Sequence, residues 1–115
     1  MICLMYCKNL KYVNFGNTDC SKDEDMRSLF YKCSTLETVD NFCITFNVLK
    51  ISFMLKECES LQSINLTKLF TPFLNAMDNA FVYCYSLKTI ELPNFNISKI
   101  IKRIVSKNFL LIVEF

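Results

Sequence analysis

Apolar residues along this chain return in blocks, and the blocks line up when cysteine is taken as the reference position. Cys7, Cys33, Cys58 and Cys84 are separated by 26, 25 and 26 residues. Three places after each cysteine stands a leucine: Leu10, Leu36, Leu61 and Leu87. Six places after it stands a branched residue: Val13, Val39, Ile64 and Ile90. Eight places after it the chain reads Phe15, Asn41, Leu66 and Leu92, with Asn41 the exception that Phe42 is placed to make good. Three places before it come Leu4, Phe30, Leu55 and Phe81. A repeat of this kind cannot bury its own apolar face, so its copies are expected to stack around one shared core.

Two local periods appear within each copy. In the fourth, Ile90 and Leu92 alternate with Thr89 and Glu91, which is the period of a strand. Met77, Phe81 and Cys84 fall at i, i+4 and i+7, the spacing of one helix face, as do Met26, Phe30, Cys33 and Ile51, Leu55, Cys58. The expected unit is a short strand, a returning segment and a helical turn. Asp23, Glu24 and Asp25 precede the second of these helical turns. They lack the spacing of a calcium loop and read as a solvated turn whose acids favour a helix N-terminus at Met26.

The run Ala80-Phe81-x-x-Cys84-x-x-Leu87-x-x-Ile90-x-Leu92-Pro93 resembles the BspA-type leucine-rich repeat, and the spacing of 25 to 26 residues is similar to the longer variant of bacterial surface lipoproteins. The resemblance covers roughly residues 3–104. It implies an α/β repeat fold: a short leucine-rich-repeat solenoid of about four repeats, with parallel strands and short helical turns. It also implies a surface or secreted protein acting in adhesion. One departure stands out. The family's usual glycine just before the cysteine is replaced by Tyr6, Lys32, Glu57 and Tyr83.

Composition narrows the functional classes. The chain has 115 residues, 52% hydrophobic and 21% charged, enough for a single globular domain spanning residues 1–115. Neither end reads as a polar capping repeat, so the chain is expected to be a fragment of a longer repeat array, open to end-to-end association. Residues 1–7 lack the basic start and length of a signal peptide, and residues 109–115 are far too short to span a membrane. A net charge of +2 gives no general drive toward nucleic acid. Histidine is absent, which removes the commonest general base and metal ligand. No catalysis and no cofactor are expected.

Seven cysteines cannot all pair within one chain. The four repeat cysteines are expected to be small buried thiols, because parallel side chains in a ladder suit a disulfide poorly. Cys3, Cys20 and Cys43 lie off the repeat without a CxxC partner, which argues against zinc. Asn65-Leu66-Thr67 and Asn96-Ile97-Ser98 match the N-glycosylation triplet. Pro72 and Pro93 are placed outside the ladders, and a basic, isoleucine-rich stripe over 99–107 reads as a degraded fifth copy packing on the fourth, with an amphipathic membrane or partner helix as the alternative.

Alternation of faces also places a candidate surface. The residues five and seven after each cysteine point away from the core: Tyr12 and Asn14, Thr38 and Asp40, Ser63 and Asn65, Thr89 and Glu91. Stacking aligns them as two outward columns of hydroxyl, amide and carboxylate groups, suited to a protein or glycan partner; the alternative is a structural repeat segment or decayed fragment with no ligand of its own.

Overall fold

The computed structural model describes residues 3–45, 47–69, 74, 76–92 and the backbone of 110–113. Its elements are five short strands: β1 (Tyr12–Asn14), β2 (Thr38–Asp40), β3 (Ser63–Asn65), β4 (Thr89–Leu92) and β5 (Leu110–Val113). β1 and β2 form one parallel pair, and β3, β4 and β5 form a second parallel sheet in that order. The registers follow the repeat, with Val13 opposite Val39 and Ile64 opposite Ile90. Pro72, Pro93, the Asn96 triplet and the basic stripe over 99–107 lie outside the described residues. β5, beyond that stripe, is a strand that the repeat pattern does not place.

The helical turns are not there. No helix occurs among the described residues, so the expected α/β solenoid with helical turns is wrong. The i, i+4, i+7 triplets are nevertheless all buried: Met26, Phe30 and Cys33; Ile51, Leu55 and Cys58; Met77, Phe81 and Cys84. A chain of tight turns brings them inward instead. In the third copy Met54 N donates to Ile51 O, Cys58 N to Leu55 O and Leu61 N to Cys58 O, each three residues back. Phe53 and Glu57 sit at the third position of the first two turns with φ of 59° and 64°. A positive φ there marks a type II turn and stops an α-helix from propagating. Asn79 and Tyr83 repeat the geometry in the fourth copy, and Ser28 and Lys32 take the same left-handed φ in the second.

The amides that a helix would use within itself are spent between copies. Met26, Ser28, Phe30 and Lys32 donate to the carbonyls of Lys50, Ser52, Met54 and Lys56. Ile51, Phe53, Leu55 and Glu57 donate in turn to Ala76, Asp78, Ala80 and Val82. Spacing alone could not separate a helix face from this arrangement, because four-residue turns and helical turns both return a side chain to the same side.

Four side chains therefore do what glycine does best. Tyr6, Lys32, Glu57 and Tyr83 hold φ between 60° and 64° immediately before their cysteines, a region that costs a residue with a Cβ roughly 1–2 kcal/mol. Glu57→Gly is expected to raise stability by about 0.5–1 kcal/mol, net of its ion pairs, while Glu57→Val lowers it. Chemical denaturation of both variants checks this; a Gly variant no more stable than the Val variant would remove the strain.

The cysteine position has its own explanation. Cys33 Sγ donates to Leu4 O at 3.0 Å, Cys58 Sγ to Phe30 O at 3.1 Å and Cys84 Sγ to Leu55 O at 3.0 Å. Phe30 O and Leu55 O already accept an amide from their own copy's cysteine. The thiol of the next copy thus fills the second lone pair of a buried carbonyl, which an aliphatic side chain cannot do. Thr35 Oγ1 and Ser60 Oγ, two places later, also reach the preceding copy, donating to Lys8 O at 2.7 Å and Ser34 O at 2.7 Å. Burial pushes the Cys58 thiol well above the usual range, with Cys84 and Cys33 beside it adding to the effect. Cys33, Cys58 and Cys84 are buried thiols outside any disulfide, whereas Cys3 is exposed. Iodoacetamide at mild alkaline pH should label Cys3 rapidly and leave the three buried thiols intact until unfolding; rapid native labelling of Cys58 would contradict this packing.

The core runs through all four copies. Leu36, Leu61 and Leu87 are buried, while Leu10 is only half-buried, as are Leu4, Cys7, Val13 and Phe15 around it in the first copy. Among the described residues the strand pairing is interrupted between β2 and β3, which touch but belong to separate sheets. Asn41 follows β2 with φ of 51° and turns outward. Phe42 takes the inward place, buried, with its ring centroid 4.9 Å from that of Phe15. The expected substitution of Phe42 for Asn41 is therefore present.

Candidate functional site

β1 to β4 carry the two outward columns. Tyr12 stands opposite Thr38 and Asn14 opposite Asp40; Ser63 stands opposite Thr89 and Asn65 opposite Glu91. The residues on β1, β2 and β3 are exposed on both sides of an inward Val or Ile. Thr89 and Glu91 on β4 are half-buried. The eight flank inward Val or Ile residues, and the break at Asn41 divides the columns into an upper and a lower half.

Hydrogen bonds fix the amide end of each half. Asn14 Nδ2 donates to Tyr12 Oη at 3.1 Å, and Asn14 Oδ1 accepts from Gly16 N at 2.8 Å and from Asn41 Nδ2 at 3.0 Å. Asn65 Nδ2 donates to Glu91 Oε2 at 3.1 Å, while its Oδ1 accepts from Thr67 N at 2.9 Å and Thr67 Oγ1 at 2.6 Å. These side chains close the turns that leave the strands, so their orientation is set before any partner arrives. A cleft of about 200 Å³ opens at the break, lined by Asp40, Asn41, Asn65, Thr67 and Lys68 among others. A neighbouring cleft of about 380 Å³ shares Asn41, Phe42 and Lys68 with it. The surface offers carboxylate, amide, hydroxyl and ammonium groups for hydrogen bonds and ion pairs.

Asp25 behaves differently from the sequence expectation. With no helix to cap, its carboxylate binds Arg27 instead, through the Arg27 amide at 3.0 Å and the guanidinium Nη2 at 2.6 Å. The Arg27 guanidinium holds the Asp25 carboxyl below its usual pKa. No group of three or more His, Cys, Asp or Glu side chains fit to hold a metal occurs among the described residues. No helix among them is long and apolar enough to cross a membrane.

Two features escaped the sequence reading. Cys20 and Cys43 form a disulfide, with Cα atoms 5.8 Å apart. A search for CxxC pairs misses it, because its partners lie 23 residues apart in adjacent copies. The other is a band of tyrosine and lysine side chains on the turn runs. Its signal was the recurrence of Tyr6, Tyr31 and Tyr83 one or two places before the cysteine. Comparison of this chain with family models, with curated proteins and with solved structures finds no match in any of the three.

Proposed function

We propose that this chain is a non-catalytic binding module of an adhesion type, engaging a protein or glycan through the outward face of its strands. The observation that carries the reading is the register within each half of the columns: polar side chains at the same two positions of β1 and β2, and again of β3 and β4, held by neighbouring amides and turns. Preset polar groups on a regular sheet lose little freedom on binding, which favours recognition by such a face. The resemblance to BspA-type repeats supports a surface or secreted setting. The disulfide between adjacent copies supports it too, since such bonds persist mainly in oxidising compartments.

The test is a variant combining Thr38→Ala, Asp40→Ala, Asn65→Ala and Glu91→Ala, compared with the parent for binding to extracellular-matrix proteins and whole cells. A loss of about tenfold or more with an unchanged circular dichroism spectrum is expected. Unchanged affinity in a folded variant would remove the sheet face from the reading.

A further inference from the structure

A strip of exposed rings and ammonium groups crosses all four copies along their turn runs. The Tyr6 ring meets Tyr31 edge-on with centroids 5.4 Å apart. Lys32 Nζ lies 5.7 Å from the Tyr6 centroid and 5.4 Å from that of Tyr31. Lys56 Nζ continues the strip, 5.6 Å from Tyr31, 5.6 Å from Phe53 and 6.0 Å from Tyr83. Tyr83 in turn lies beside Tyr85, with centroids 6.0 Å apart and ring planes 40° apart. Tyr6, Tyr83 and Tyr85 remain 52%, 51% and 56% exposed, so the core gains little from them.

Among the described residues, charge on the strip is unbalanced. Lys32 and Lys56 both reach Glu57, each at 3.9 Å, so two ammonium groups share one carboxylate. The contacts are long and the side chains partly exposed, and such pairs hold their partners weakly.

We propose that this strip binds an extended anionic polysaccharide, one bearing carboxylate or sulfate groups. The apolar faces of its sugar rings rest on Tyr83 and Tyr85, and its anionic groups meet Lys32 and Lys56. Two observations favour a polysaccharide over a peptide. Alternate amides of the first three turn runs already donate to the next copy, as from Ser28 to Ser52 and from Phe53 to Asp78, so these three runs are paired and not an open edge for strand addition. Nor is the strip, among the described residues, a continuous apolar groove for an amphipathic helix, because two ammonium groups are interspersed among its rings. Aromatic rings with flanking cations and hydroxyls match a ligand that is apolar on one face and anionic at its edge.

This inference does not rest on the sheet-face reading, and its test does not touch those columns. Binding of heparin and of polygalacturonate is measured by calorimetry at low and high salt, with neutral dextran as control. The protein is expected to bind at least one polyanion, more weakly as salt rises, and not to bind dextran. Lys32→Gln with Lys56→Gln, and separately Tyr83→Gly with Tyr85→Ser, should each weaken binding by about tenfold or more. Glycine suits the backbone at Tyr83, where φ is 61°, and the lysine pair provides a second variant should the tyrosine pair fail to fold. No binding of either polyanion, equal binding of dextran, or full affinity in a folded lysine variant would overturn the proposal.

Discussion

Leu61→Ala is expected to lower the unfolding free energy by ~2–5 kcal/mol, a large part of the stability of a domain this size. Leu61 is fully buried in the third of four stacked copies, between Leu36 and Leu87 at the same position of its neighbours. The main chain around it is held from both sides. Leu61 N donates to Cys58 O, the Leu55 and Glu57 amides donate to the next copy, and Met54 O and Lys56 O accept the Phe30 and Lys32 amides of the previous one. A site so constrained relaxes little around a lost isobutyl group, which places the change toward the upper end of the range. Leu10→Ala, at the same repeat position but only half-buried, should cost clearly less. Urea unfolding of the two variants measures the difference. A loss below half a kcal/mol for Leu61→Ala would be incompatible with this packing.

Removing the disulfide ranks second. Cys20 and Cys43 close a loop across the first two copies, with a sequence separation of 23. Restricting an unfolded loop of that length is worth about 3–4 kcal/mol in the chain-entropy account. Cys20→Ser with Cys43→Ser is therefore expected to lower stability by about 3 kcal/mol and to unfold the first copy ahead of the rest. That copy is already the least buried, with Leu4, Cys7, Leu10, Val13 and Phe15 all partly exposed. Thermal unfolding with and without reductant gives the comparison. A parent protein whose melting is unchanged by full reduction would show that the bond contributes nothing.

Much of this architecture was legible because burial leaves a period in the sequence. The leucines after each cysteine, the branched residues of the strands and the exchange of Asn41 for Phe42 could all be read from spacing. Secondary structure at Met26, Phe30 and Cys33 could not, because helical turns and four-residue turns return side chains at similar intervals. The hint was present at Tyr6, Lys32, Glu57 and Tyr83, where the repeat that the sequence resembles carries glycine. A position that wants glycine within a helical spacing argues for a left-handed residue and against a continuous helix. The candidate site divides in the same way. Outward columns follow from alternation, but the cleft beside Asn41 depends on a broken pairing that no local pattern announces. The strip of rings and lysines depends on which residues become neighbours across copies.

The break after β2 also bears on how the chain tolerates changes in length. Cys33 and Cys58 are 25 residues apart where the other intervals are 26, while strand and turn positions relative to each cysteine are the same. The missing residue therefore belongs to the return segment after Asp40, where Asn41 turns outward and the ladder between β2 and β3 is given up. Insertions or deletions there shift no side chain from the inside to the outside of a strand. One residue added within the turns before a cysteine would instead move four inter-copy amides out of register together. Growth and loss of length in such a chain are thus confined to its returns, leaving turns and strands as the invariant frame.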